Sequence, residues 1–345
     1  MRDLVNELCS VACAGRAPGT PGGLRARQKI VEALAGCGLD PQEQNIAGTR
    51  AANVIATIPG DSDRWVLVAA HYDHLGGDAR RFYPGADDNA AAIAILVEVA
   101  RRFAAHRPAG RGVLITAFDC EEPPYFLTGQ MGSAYYVDHA HKVGPALDRI
   151  DMMVCMDLVG HALGPSGLPP EVGQTLFALG AERSTGTLDA VQQLSQAEPQ
   201  LIVRPADAEI IPPLSDYHPF WQRQVPFLFL TAGRSGRYHT PQDTPEHLDW
   251  DKMLATARWI ERFVRATCQR PAGRIPFVAD ARADAATLHS FIALTTPLSA
   301  IAPLARAAQG RAKQLLSQCD AQGRLPASLR SAASELILGL ESALA

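Results

Sequence analysis

The sequence predicts an α/β fold of three layers: a mixed, mostly parallel central sheet flanked by helices, followed by an all-helical C-terminal extension. Three observations carry this. Short apolar runs alternate with longer amphipathic segments over residues 1–270, which is the pattern of strands linked through helices. Several of those runs are apolar throughout rather than at every second position, as strands buried on both faces are. After Gln269-Arg270-Pro271-Ala272-Gly273, a linker-like stretch, no strand pattern recurs.

Residues 3–14 and 24–37 read as helices, the second with Ile30 and Leu34 on one face and Gly36 as its stop. The turn-rich Gly15-Arg16-Ala17-Pro18-Gly19-Thr20-Pro21-Gly22 lies between them. Ala52 to Ile58 is β-branched and closed by Pro59-Gly60, so it reads as a strand. Further strands are expected at Trp65 to Ala70, Gly112 to Phe118, Ile150 to Met156 and Val225 to Thr231. Ala90 to Phe103 and Asp251 to Cys268 read as helices. The pattern divides the chain into a catalytic-type unit, 1–270, and a helical extension, 271–345, with helices near 283–295, 297–319 and 326–344. The extension offers His289 as its one imidazole. It is expected to serve packing or homo-oligomerisation, with a lid over the site as the sharper alternative.

Composition narrows the function. The chain has 345 residues, 47% hydrophobic and 20% charged, with a formal net charge of -4. A mildly acidic balance argues against nucleic acid as partner. The apolar runs are too short to span a bilayer, so no membrane association is expected. The N-terminus lacks a secretory pattern, and the seven cysteines are odd in number and sparse. Both features point to a cytoplasmic protein, or a secreted or periplasmic one had a signal been removed. Cys9 and Cys13 have no second pair to make a zinc knuckle with.

The chemistry sits where strand-like runs give way to loops. In Ala69-Ala70-His71-Tyr72-Asp73-His74 a histidine stands at a strand tip, and Asp73 is suited to accept the second ring N–H of His71. In Gly85-Ala86-Asp87-Asp88-Asn89 an acidic pair precedes a helix, where a capping role or a bridging carboxylate would both fit. Asp119-Cys120-Glu121-Glu122 crowds three carboxylates at a strand end, a repulsive arrangement that a cation relieves. Pro123-Pro124 then forces an extended exit. Asp157 interrupts the apolar Val154 to Val159, which is costly unless it is paired or ligating. His239 follows the last strand across a glycine-containing loop. Two imidazoles and three carboxylates (His71, Asp88, Glu122, Asp157 and His239) suit a pair of zinc ions, and Glu121 stands free to move protons.

On these motifs the sequence resembles metallopeptidase family 28, the zinc aminopeptidases and their glutamate carboxypeptidase and glutaminyl cyclase relatives. The resemblance runs from Gly15-Arg16-Ala17-Pro18-Gly19-Thr20 through Asn53-Val54 and Pro59-Gly60 to Asp243-Thr244, about the first 265 residues. It implies that His71 binds the first metal and Asp73 orients it. It implies that Asp88, rather than Asp87, bridges, with Ala92 in place of a usual glycine. Glu121 would be the general base, Glu122 and Asp157 ligands, and His239 the ligand of the other metal. A cis peptide is expected at Asp88–Asn89.

The resemblance implies two zinc ions and hydrolysis of N-terminal residues from a peptide or small aminoacyl substrate. The alternative is a single-zinc glutaminyl-peptide cyclotransferase using the positions Asp88, Glu122 and His239, and a third reading is a catalytically silent metal-binding relative. Ser215-Asp216-Tyr217-His218 departs from the family's Ser-Asp-His run, and Pro123 to Met131 is longer than in compact aminopeptidases. The loops 123–131, 161–170 and 205–220 carry Phe126, Leu127, Leu163 and Phe220, which would give an apolar pocket.

Overall fold

A computed structural model describes residues 1–78 and 80–345. Its centre is one sheet built from β1 (Gln42–Asn45), β2 (Ala52–Ile58), β3 (Trp65–His71), β4 (Gly112–Phe118), β5 (Ile150–Met156), β6 (Thr175–Leu179), β7 (Ile202–Ala206) and β8 (Phe227–Thr231). The strand order is β1-β2-β4-β3-β5-β8-β6-β7. The pairings β3 with β4, β3 with β5, and β5 with β8 are parallel. The middle of the sheet is therefore a block of four parallel strands whose carboxyl ends share one edge. The pairings of β1 with β2, β2 with β4 and β6 with β8 are antiparallel, which makes the sheet mixed.

Every residue of β4 and β5 is buried, as expected for strands covered on both faces. Alternate side chains enter two separate cores. Val66, Val68, Ala70, Val154 and Met156 pack with helices Pro21–Gly36, Ala91–Ala105 and Trp250–Cys268. Leu67, Ala69, Met153 and Cys155 face the other way. That second core also takes in Leu288, Phe291, Ala312, Leu315 and Ala333 from helices Asp284–Ser299, Pro303–Leu316 and Ala327–Leu344. The C-terminal segment is thus built into the third layer of the sandwich. Each buried Leu or Phe it contributes is worth about 1.5–3 kcal/mol. Arg111 pins its start, donating to the carbonyls of Arg270, Pro271 and Gly273.

Several elements differ from the sequence reading. The first helix ends at Leu8 rather than near 14, and its continuation is a series of turns through Ala14. The last strand begins at Phe227, two residues later than expected. The helix expected from 297 starts at Pro303, because Pro297 falls in the last turn of the preceding helix. Strands β1, β6 and β7 and the helix Gly132–His139 lay outside the expected elements. All seven cysteines are free. Among the described residues no helix is long and apolar enough to cross a membrane.

Candidate metal centre

The four parallel strands deliver their next residues to one spot. His71 is the last residue of β3, Glu121 and Glu122 follow β4, Asp157 follows β5, and the loop after β8 carries His239. Asp88 arrives from the distorted turn Ala86–Ala90 that leads into helix Ala91–Ala105. That helix has no side-chain N-cap, so Asp88 is free to face the site. The backbone is in the left-handed region at Cys120 (φ 59°), Leu158 (φ 54°) and His239 (φ 56°). Such strain clusters where side-chain direction is dictated by function. The peptide Asp88–Asn89 is cis.

All five expected ligands converge. His71 Nε2 lies 3.4 Å from Asp88 Oδ1 and 3.3 Å from Asp157 Oδ1. His239 Nε2 lies 3.1 Å from Asp88 Oδ2 and 3.1 Å from Glu122 Oε1. Asp88 therefore turns one carboxylate oxygen to each histidine. Glu121 Oε2 stands 3.8 Å from His71 Nε2. All but the partly exposed His239 are buried.

Several of these residues are held by neighbours. Asp243 accepts the backbone N–H groups of Asp87 and Asp88. Asp87 faces away from the centre, where its carboxylate accepts from Gly160 N and His161 N and sits 2.7 Å from His161 Nδ1. Arg16, fully buried, donates to the carbonyls of Tyr72, Leu8, Pro84 and Gly85, the last two on the approach to Asp88. Asn89 donates to Met156 O beside Asp157. Asp119 is a brace: it accepts from Tyr72 Oη, Ala52 N and Cys120 N.

Asp73 reaches both His71 and the glutamate pair. His71 Nδ1 is 3.3 Å from the backbone carbonyl of Asp73 and 3.7 Å from its carboxylate. The carboxylate itself accepts the N–H of Glu121 on one oxygen and of Glu122 on the other. It orients the glutamate pair directly and meets His71 through both its carbonyl and its carboxylate.

Two residues that sequence reasoning had not assigned also enter. His74 Nδ1 is 2.9 Å from Glu122 Oε1 and 3.7 Å from Asp88 Oδ2, while its Nε2 is buried without a hydrogen-bond partner. That ring can donate to Glu122 or, through a bare nitrogen, join the ligand set. Its position in the run His71-Tyr72-Asp73-His74 was the available signal. Asp216 is fully buried and neither of its oxygens has a hydrogen-bond partner. The altered Ser215-Asp216-Tyr217-His218 run still delivers a carboxylate whose charge is felt by Glu121 and which feels that of Asp157.

The electrostatics call for a cation. Burial pushes Glu121 well above the usual carboxylate range, and the charges of Asp157, Asp216 and Glu122 add to this against the pull of His71. Burial raises Asp157 to about 6, although His71 opposes. Burial likewise raises Asp216 to about 7. Burial opposes protonation of His71, but Glu121 and Asp157 outweigh it and drive its pKa well up. His239 is pushed up to about 10, its hydrogen bonds to Asp88 and Glu122 outweighing burial. Burial works against ionised Glu122, but its hydrogen bonds to His239 and His74 hold its carboxyl far below the usual range. Among the described residues no lysine or arginine forms an ion pair with Asp88, Glu121, Glu122 or Asp157. Buried carboxylates matched only by imidazoles fit divalent ions, with His74, Asp88, Glu122 and His239 as one donor group and His71, Glu121 and Asp157 as another.

Imidazoles and carboxylates converging at the carboxyl ends of parallel strands make a candidate metal centre. The chain belongs to Peptidase family M28, whose family model matches residues 53–264. It is 28% identical to the uncharacterized protein YfbL of Escherichia coli K12, over 65% of this chain and 74% of that one. It is 34% identical to a probable zinc metalloprotease of Pyricularia oryzae, over 34% of this chain but only 22% of the fungal protein. The fold is that of Legionella pneumophila LapA aminopeptidase (TM-score 0.64, 14% identity, 79% of this chain and 73% of that one). It is also that of Porphyromonas gingivalis glutaminyl cyclase (TM-score 0.61, 20% identity, 77% of this chain and 96% of that one).

Proposed function

We propose that the chain is a zinc-dependent exopeptidase of aminopeptidase type, hydrolysing N-terminal residues from peptides. The observation that carries this is Asp88, whose Oδ1 faces His71 and whose Oδ2 faces His239. That is the arrangement a carboxylate shared between two cations needs. His71, Asp88 and Asp157 would hold one ion, and Asp88, Glu122 and His239 the other. When bound, the ions supply Lewis acidity toward the scissile carbonyl and lower the pKa of water.

The chain's own groups do the rest. Glu121 takes a proton from the attacking water and returns it to the departing amine. Its carboxyl is already displaced upward by burial, the direction a base working near neutral pH requires. Asp73 fixes where Glu121 points, and the buried walls exclude competing water. The test is Glu121→Gln. Turnover of aminoacyl chromogenic substrates should fall by about 10²–10⁴-fold, the range for a positioned acid–base group, while bound metal stays at the wild-type level. Wild-type turnover in that variant overturns the assignment.

One observation supports a second reading in the same fold. Asp88, Glu122 and His239 gather with His74 as a self-sufficient donor group, which suits a single-zinc glutaminyl-peptide cyclotransferase. Cyclisation of a glutaminyl peptide, with one metal per chain and no aminopeptidase activity, would decide for it.

A further inference from the structure

An apolar cavity opens beside Asp157 and reaches the C-terminal helix. It has a volume of about 280 Å³, with Asp157 and Tyr238 at one end. Its walls are Phe229 from β8, Phe291 and Leu294 from helix Asp284–Ser299, and Leu340 from helix Ala327–Leu344. Four hydroxyl-bearing residues line it, Thr231, Tyr238, Thr287 and Ser290, and three of them are committed elsewhere, Thr231 accepting from Gly233 N. Thr287 donates to Ala283 O and accepts from Asp207 N, and Ser290 donates to Pro205 O. Arg234 and Glu341 are paired with each other and Asp157 belongs to the metal end, so the rest of the lining is mostly apolar and favours an apolar guest.

Helix Ala327–Leu344 lies outside residues 53–264, the part matched by the family. It is also tied to the loop that carries His239. Glu341 accepts from Arg234 Nε on one oxygen at 3.0 Å and from Arg234 Nη2 on the other at 3.1 Å. The same side chain that fixes the helix thus fixes the stem of the ligand loop. Of the loop residues expected to give an apolar pocket, Leu163 lines this cavity. Phe220 instead packs into the core against Phe118 and Tyr136, and Leu127 is exposed.

We propose that the C-terminal helix is the far wall of the substrate side-chain pocket, and that this pocket takes a bulky apolar group, an indole or a long aliphatic chain, carried beside the scissile bond. The proposal rests on the exopeptidase reading for what happens at the metal end, but not for the occupancy of the cavity. Size argues for a large guest. A cavity of about 150 Å³ holds benzene, and this one is nearly twice that. The helix sets the depth, with Leu340 and, one turn earlier, Ile337 facing the guest.

The experiment has two arms on the full chain. In the first, the metal-free protein is heated with and without indole. Indole should raise the unfolding midpoint of the wild type and leave that of Leu340→Trp, whose ring fills the cavity, unmoved. In the second, the zinc-loaded protein is assayed on alanyl, leucyl and tryptophanyl p-nitroanilides. Leu340→Trp should lose about tenfold or more in kcat/KM on the tryptophanyl substrate and keep the alanyl one, in line with what a few methylenes are worth in a pocket. Ile337→Phe gives the same comparison should Leu340→Trp not fold. An equal indole shift in the filled variants, or an equal loss on all three substrates, overturns the proposal. If indole binds as expected but no substrate is cleaved, the pocket stands and the exopeptidase reading fails.

Discussion

Asp73 divides its carboxylate between two neighbours, accepting the N–H of Glu121 on Oδ1 and of Glu122 on Oδ2, both at 3.0 Å. One side chain thereby holds the proposed base and a proposed metal ligand together. Asparagine keeps the shape but can accept on only one atom, so one buried N–H is left facing an amide. Hydrogen bonds to a charged group are worth about 1.5–3 kcal/mol, and groups that hold metal ligands cost about 10–100-fold when changed. Asp73→Asn is expected to lower both zinc affinity, read by competition with a chelator, and kcat by factors in that range. Wild-type values for both would remove Asp73 from the machinery.

Arg16 sits at the other side of the same site and makes a structural prediction. Its guanidinium is fully buried and satisfies the carbonyls of Leu8, Tyr72, Pro84 and Gly85. Arg16→Met leaves several buried acceptors without donors, each costing about 1–3 kcal/mol. Urea unfolding of the metal-free variant should show a loss of at least about 3 kcal/mol. Arg25→Ala, which removes an exposed pair with Glu7, serves as the control and should leave the midpoint in place. Equal midpoints for the two variants would sink the role given to Arg16.

The two donor groups predict a metal count. His71→Ala and His239→Ala should each lose about one zinc per chain by elemental analysis, and Asp88→Ala should lose more than either, because it faces both histidines. A wild type holding one zinc, indifferent to His71→Ala, would instead favour the cyclotransferase reading.

Much of this was legible in the sequence because the physics is local. Trp65 to Ala70, Gly112 to Phe118 and Ile150 to Met156 are apolar throughout, and burial on both faces demands that. The candidate ligand positions were legible because acidic residues and histidines at the ends of such runs need a reason. What was missed depends on distance in the chain or on an edge position. β1 is Gln-Glu-Gln-Asn, a polar edge strand with no hydrophobic signal. β7 is the other edge and contains Pro205, a residue that edge strands tolerate and central ones do not. Asp73's hold on the glutamate pair spans 48 and 49 positions, and the partners of His74 lie on other loops. The C-terminal helices looked like an appendage because their apolar faces carry no mark of what they cover. Only the fold shows Phe291 and Leu340 closing a cavity beside Asp157.

The titrating groups of the centre predict how stability depends on pH, with opposite trends for metal-free and metal-loaded protein. In the folded metal-free chain Asp157 keeps its proton up to about 6 and Asp216 up to about 7, against 3.8 for a free aspartate. His239 keeps its proton up to about 10, against 6.5. All three values are raised, so the folded form binds more protons than the unfolded chain between pH 3.8 and about 10. Stability then falls as pH climbs through that window. Other groups act in the other direction, among them His218, which burial lowers from 6.5 so that it offsets part of the slope near and below that pH. Glu122 is depressed and matters around and below its ordinary 4.5. Burial lowers Lys252 to about 8, so it contributes the opposite slope only between there and 10.5. Metal ligands must be deprotonated to bind, so zinc reverses the trend and its affinity grows with pH. Thermal unfolding between about pH 5 and pH 8 should therefore show the chelated protein losing stability while the gain from added zinc widens. His239→Gln should flatten the upper half of the chelated curve, from pH 6.5 upward. A chelated midpoint that instead climbs toward pH 8, with no widening on zinc, would mean these buried groups are not held together as a proton-sharing, metal-binding set.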